Sequence, residues 1–192
     1  MNIGILISGR GSNMVALVDA VSCGDIPGAE VAVVISDKPG AAGLEKARQR
    51  GVETVVVERK GRSREDHDVE IADELRQRSV ELICLAGYMR LLSPAFVEAF
   101  PNKIINIHPA LLPKYGGKGM YGGKVHEAVI HSKEKESGIT IHFVDEIYDH
   151  GKIIFQATCN VDEKDTPETL AKKIHVLEHE HYPAVIEKYF LQ

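Results

Sequence analysis

Asn106 and His108 stand two residues apart in the run Lys103-Ile104-Ile105-Asn106-Ile107-His108-Pro109. A period of two places both polar side chains on one face of an extended segment and Ile105 and Ile107 on the other. Pro109 ends the segment and holds His108 extended. An amide is a fixed donor, and an imidazole is a donor that also moves a proton, so the pair suits a reaction in which charge develops on an oxygen. A lone histidine at a strand end is more often a structural residue; the amide beside it on the same face shifts the reading toward chemistry. A second polar group, Ser8-Gly9-Arg10-Gly11-Ser12-Asn13, lies between an apolar run and a helical pattern. Glycines there let backbone N–H groups approach an anion, and a helix start adds free donors and a positive dipole end. Met14 stands where a dinucleotide fingerprint needs its third glycine, and no Gly-Lys-Ser/Thr follows, so the loop suits one phosphate rather than a pyrophosphate. A tight turn with Ser12 as an ordinary helix cap is the simpler alternative.

Other groupings compete. His175-Val176-Leu177-Glu178-His179 matches the H-x-x-E-H zinc pattern. A zinc site needs a third protein ligand, and only His181 and Glu187 follow as candidates, so no metal is expected and His179 with Glu180 reads as a solvated helix face. Asp145, Glu146 and Asp149 lack the spacing of a calcium loop, and the first two read as turn charges. Asp37, in Asp-Lys-Pro-Gly, either holds a ribose hydroxyl or, more simply, shapes a turn. Cys23, Cys84 and Cys159 are odd in number and far apart, which excludes a disulfide framework and suits a reducing compartment. Cys84, inside an apolar run, reads as packing.

The elements that must position these groups alternate. Apolar strands are expected over 3–7, 31–35, 52–57, 82–86 and 104–107. Helices are expected after Ser12, over 40–50, after Ser63 (a cap for Asp66) and from Ser93-Pro94. Wholly apolar strands alternating with helices argue for a parallel sheet covered on both faces. After Pro109 come a loop rich in Gly, Lys and Tyr, a short helix over 125–131 and two alternating segments, 139–144 and 153–161, that extend the sheet. Thr166-Pro167 opens a last helix, which Pro183 is expected to kink or break. The expected fold is a single α/β domain over 1–192. Its Rossmann-like parallel half, 1–109, is continued by a mixed sheet and a C-terminal helix in 110–192. With 192 residues, 44 % of them hydrophobic, the chain can bury one core. The net charge of -5, with basic residues scattered, argues against a nucleic-acid or anionic-membrane partner. No apolar run reaches the roughly 18 residues of a membrane span, and the start lacks a basic signal-peptide region, so a cytoplasmic protein is expected.

Read in order, Ser8 to Asn13, Leu85-Ala86-Gly87-Tyr88-Met89-Arg90-Leu91-Leu92-Ser93-Pro94, Asn106-Ile107-His108-Pro109-Ala110-Leu111-Leu112-Pro113, and His142-Phe143-Val144 followed by Asp149 resemble the motifs of the folate-dependent formyltransferases. The resemblance covers nearly the whole chain. It implies formyl transfer from the co-substrate 10-formyltetrahydrofolate to the amine of glycinamide ribonucleotide in purine biosynthesis, through a tetrahedral intermediate and without a metal. By the same resemblance Asn106, His108 and Asp149 would be catalytic. Gly11, Ser12 and Asn13 would hold the 5′-phosphate, and Glu178 the ribose hydroxyls. Met89, Arg90 and Leu92 would line the folate pocket, Arg64 would lie near the folate glutamate tail, and His142 would support the site from a neighbouring strand. Two departures stand out: the stretch 118–124 is longer than in the family members resembled, so no loop-histidine role is carried onto His126, and His150 occupies a place more usually glycine. Three rival readings remain. Methionyl-tRNA formyltransferases normally add a C-terminal RNA-binding domain, whereas this chain ends at Gln192; formyltetrahydrofolate hydrolases normally carry an N-terminal regulatory domain. A non-catalytic nucleotide-phosphate binding module would have no need of the Asn106/His108 pair. Oligomeric state is not legible.

Overall fold

A computed structural model describes residues 1–191. The five apolar runs form β1 (Asn2–Ile7), β2 (Glu30–Ser36), β3 (Thr54–Val56), β4 (Leu82–Leu85) and β5 (Ile104–His108), which pair parallel with one another. Antiparallel β6 (Glu136–Phe143) and β7 (Ile153–Asn160) complete one sheet in the order β3-β2-β1-β4-β5-β6-β7. The chain moves outward from β1 to β3, then crosses back to β4 on the other side of β1. That reversal opens a crevice at the carboxyl ends of β1 and β4, where open α/β sheets bind ligands.

Helices cover both faces, as the strand composition requires. Ile3, Ile5 and Ile7 of β1 point toward α1 (Ser12–Cys23) and α6 (Pro167–Phe190), packing with Leu17, Ile174 and Tyr182. Leu6 points the other way, toward Ile71 and Leu75 of α3 (Arg64–Gln77) and Phe96 of α4 (Pro94–Ala99). Two shorter helices, α2 (Ala42–Arg48) and α5 (Gly123–His131), flank the crevice side of the chain. No helix among the described residues is long and apolar enough to cross a membrane.

Local signals explain most of the boundaries. Ser63 accepts from Asp66 N at 2.9 Å and Ser93 from Phe96 N at 3.3 Å, caps worth about 1 kcal/mol each. Thr166 and Thr169 exchange side-chain-to-backbone bonds at the start of α6. Two expectations are corrected. Ser12 is not the cap of α1: Gly11 is, in the left-handed conformation with φ 70°, and it makes no side-chain cap bond. The first-turn amides of α1 therefore have no intrahelical side-chain acceptor. Of the kink or break expected at Pro183, the break does not occur: α6 runs unbroken to Phe190. An interior proline costs about 3 kcal/mol, but Tyr182, Val185 and Ile186 around it are buried, and the Tyr182 hydroxyl lies 3.2 Å from the carbonyls of both Leu85 and Ile105. Packing on two strands outweighs the missing backbone bond.

Candidate active site

The loops leaving β1, β4 and β5 meet over the crevice. Together with the 117–122 loop, the Tyr148-Asp149 turn and α6, they enclose a cavity of about 520 Å³. Its lining includes Gly11, Ser12, Asn13, Met89, Asn106, His108, Asp149 and Glu178. Residues spread over most of the chain are thus brought to one place.

Register sets the reaction end. Asn106 lies opposite His142 across the β5–β6 pair. His142 Nδ1 is 2.8 Å from the Phe143 carbonyl and must donate to it, so Nε2 is left as the acceptor for Asn106 Nδ2 at 3.2 Å. Burial pushes the His142 imidazole below its ordinary range, in keeping with this neutral tautomer. The second Asn106 N–H meets Asp149 Oδ1 at a long 3.4 Å. His108 donates from Nε2 to the Tyr115 carbonyl at 2.8 Å, and its Nδ1 faces Asp149 Oδ1 at 3.5 Å. Asp149 itself sits in the left-handed region with φ 54°, anchored by Gly117 N on Oδ2 at 2.9 Å. One carboxylate oxygen therefore faces the amide and two imidazoles. A Cβ at Gly151 would come within 1.8 Å of the Phe143 carbonyl, so the close approach that seats Asp149 is made there. His150 instead turns outward to Asp145 Oδ2 at 2.7 Å, which explains how a histidine is accommodated beside it.

The other end of the cavity is built for an anion and a polar ring. At Gly11 a Cβ would meet Gly43 Cα at 2.8 Å, so the chain approaches α2 through backbone alone. No acidic residue occupies the first turn of α1. Asn13 is buried, with Oδ1 unpartnered. Glu178 is buried beside it; burial pushes its carboxyl up to about 7, and a bond from Asn13 opposes that rise.

Several expected site residues lie elsewhere. Arg64, the first residue of α3, approaches Glu65 at 3.4 Å and does not line the cavity. The Arg90 guanidinium donates to buried Asp37 at 2.7 Å, Leu92 is buried in the α3-side core, and His142 stands behind Asn106. Asp37 is thus an ion-pair partner rather than only a turn residue. Of the H-x-x-E-H residues, Glu178 and His175 line the cavity while His179 is exposed. The two imidazoles stack with centroids 6.2 Å apart. Sequence reasoning did not place Met120, Tyr121, His126, Tyr148 or His175 at the site. The glycines that bend the 117–122 loop were the available signal for the first two.

Residues 1–186 match the formyl transferase family. The chain belongs to that family. The phosphoribosylglycinamide formyltransferase of Haemophilus influenzae is 41% identical over 186 residues, 96% of this chain and 85% of that protein. The chloroplastic phosphoribosylglycinamide formyltransferase of Arabidopsis thaliana is 42% identical over 184 residues, 95% of this chain. The chain spans 63% of that plant protein and 13% of the trifunctional purine biosynthetic protein of Drosophila melanogaster. Among solved structures, phosphoribosylglycinamide formyltransferase from Bacillus halodurans superposes with a TM-score of 0.92 at 36% identity, covering 100% of this chain and 97% of that one.

In this formyl transferase the buried Glu178 carries a stability cost that depends on pH. Its carboxyl is protonated in both folded and unfolded chains below the ordinary 4.5, and the unfolded chain ionises first as pH rises toward about 7. The folded state holds the extra proton in that window, so its stability falls with rising pH. Glu178→Gln is expected to leave the unfolding free energy unchanged near pH 4 and to raise it at pH 8, by at most about 3 kcal/mol. Denaturant melts of both proteins at the two pH values check this; equal stabilities at pH 8 would contradict it.

Proposed function

We propose that this formyl transferase moves the formyl group of 10-formyltetrahydrofolate to the amine of glycinamide ribonucleotide, a step of purine biosynthesis. One observation carries the reading: a single cavity joins the glycine loop 9–13 to Asn106, His108 and Asp149. The names of the relatives point the same way.

The backbone of Gly11, Ser12 and Asn13 holds the 5′-phosphate at the start of α1. Glu178, as a carboxylate, accepts from the ribose hydroxyls. Met89, 39% exposed, lines the cavity and packs on the folate; Arg90 and Leu92 follow it in the chain and border that pocket from outside the cavity lining. Arg64, outside the cavity, serves the glutamate tail. The amine lone pair forms a bond to the formyl carbon, giving a tetrahedral centre with an oxyanion. The bond from that carbon to the folate nitrogen then breaks, and a proton from the amine replaces the formyl group on it. Asn106 supplies an N–H to the oxyanion, because its long contact with Asp149 yields readily to a better acceptor. His108 keeps its Nε2–H on the Tyr115 carbonyl and turns its Nδ1–H, only loosely held by Asp149 at 3.5 Å, to the oxyanion, while Asp149 relays the proton of the amine. His142 fixes the Asn106 amide. No step calls for a metal. Both substrates are small molecules, the location is cytoplasmic, and one domain over 1–192 performs the reaction.

The absorbance change on deformylation of a 10-formyl folate analogue tests this. Turnover is expected only when glycinamide ribonucleotide is present, and a chelator should not alter it. Equal folate turnover without the ribonucleotide would make the protein a hydrolase instead.

A further inference from the structure

His126, on the first turn of α5, is 3% exposed, lines the cavity, and has an Nδ1 with no hydrogen-bond partner. The other buried imidazoles of the site are spent. His108 is held by Tyr115 and Asp149, and His142 by Phe143 and Asn106. A histidine buried only for packing would have its ring nitrogens satisfied. Burial, followed by the charges of His175 and His108, pushes the His126 imidazole down to about 4, so the ring is neutral near pH 7, with one N–H and one bare nitrogen. A buried N–H without a partner is rarer than an under-satisfied acceptor. The walled-in Nδ1 is therefore the bare nitrogen, and the proton is on Nε2.

The ring lines the same cavity as His108, at the reaction end, and as His175, which lies 3.9 Å from Glu178 at the other. Resting on the substrate assignment above, a ribonucleotide whose phosphate sits at Gly11–Asn13 and whose amine reaches Asn106 must pass its amide linkage between those two ends. The ribose hydroxyls are served by Glu178, which leaves the linkage carbonyl as the acceptor in this stretch. We infer that His126 is a substrate-contacting residue whose Nε2–H donates to the carbonyl oxygen of the glycinamide group. The contact would select ligands that carry a carbonyl at that point, because a ligand lacking it leaves a buried donor unpaired.

Two variants separate this from packing. His126→Phe keeps a ring and removes both nitrogens; His126→Gln returns an N–H at a similar reach. His126→Phe is expected to raise the KM for glycinamide ribonucleotide roughly tenfold to hundredfold while the folate KM stays within about twofold. His126→Gln should recover most of the loss. Ribose 5-phosphate, which lacks the glycinamide, should inhibit wild type and His126→Phe equally well. An unchanged ribonucleotide KM in His126→Phe would overturn the inference, and so would weakening of ribose 5-phosphate by the same factor. Should phenylalanine prevent folding, His126→Met carries the same comparison. Wild-type protein that ignores the ribonucleotide would sink the substrate assignment itself, a result distinct from either outcome.

Discussion

His108→Ala is expected to lower turnover by a factor on the order of 10²–10⁴, the span for a positioned proton donor. The imidazole is 3% exposed and held from both sides, by the Tyr115 carbonyl at 2.8 Å and by Asp149 at 3.5 Å, so its geometry is set before substrate arrives. Nothing small can replace a ring fixed in this way. The Gly11–Asn13 loop leaves a different strand, so the KM for the ribonucleotide should change far less than turnover. His108→Gln keeps a donor but cannot carry a second proton, and should fall between alanine and wild type. Single-turnover kinetics measure the step directly. A loss under tenfold in His108→Ala would move the proton donor elsewhere in the cavity.

Gly11→Val should act on the opposite term, raising the KM for glycinamide ribonucleotide tenfold or more, about 1.4 kcal/mol of binding, with little change in the folate KM. Two costs combine. The residue has φ 70°, where a side chain costs roughly 1–2 kcal/mol. The added Cβ would also stand 2.8 Å from Gly43 Cα, backbone that cannot swing aside. Relief comes only by moving the loop, and the loop is what presents amides to phosphate. Steady-state kinetics with each substrate varied in turn make the test; equal KM values in folded Gly11→Val would remove the phosphate from this loop.

What could be read from the chain beforehand depended on how local the cause was. Ser63, Ser93 and Thr166 announced helix starts because a cap is decided within three residues. The alternation in 104–108 placed Asn106 and His108 on one face for the same reason. The start of α1 was misassigned to Ser12 because the left-handed Gly11 exists to let β1 turn against Gly43, a partner thirty-two positions away. Pro183 looked like a break because the packing that offsets it, Tyr182 against Leu85 and Ile105, involves strands far back in the chain. The Arg90–Asp37 ion pair was hidden likewise, since one partner follows β2 and the other follows β4. His126 gave no pattern of its own, and His175 gave only the H-x-x-E-H spacing, which points to zinc rather than to this cavity; the fold alone brings both into one lining with Asn106 and Glu178.

The Tyr182 hydroxyl, resting on carbonyls of β4 and β5, has a consequence for synthesis on the ribosome. β1 to β5 can pair in the order in which they emerge, since each neighbours a strand already made. The face of β1 bearing Ile3 and Ile5 is nonetheless covered by α1 alone until Ile174, Tyr182 and Ile186 arrive. A nascent chain halted before α6 would hold Asn106 and His108 but neither Glu178 nor the rest of the cover over that apolar face. Such a chain would expose apolar surface and lack one wall of the cavity, so the last helix completes the core and the site together.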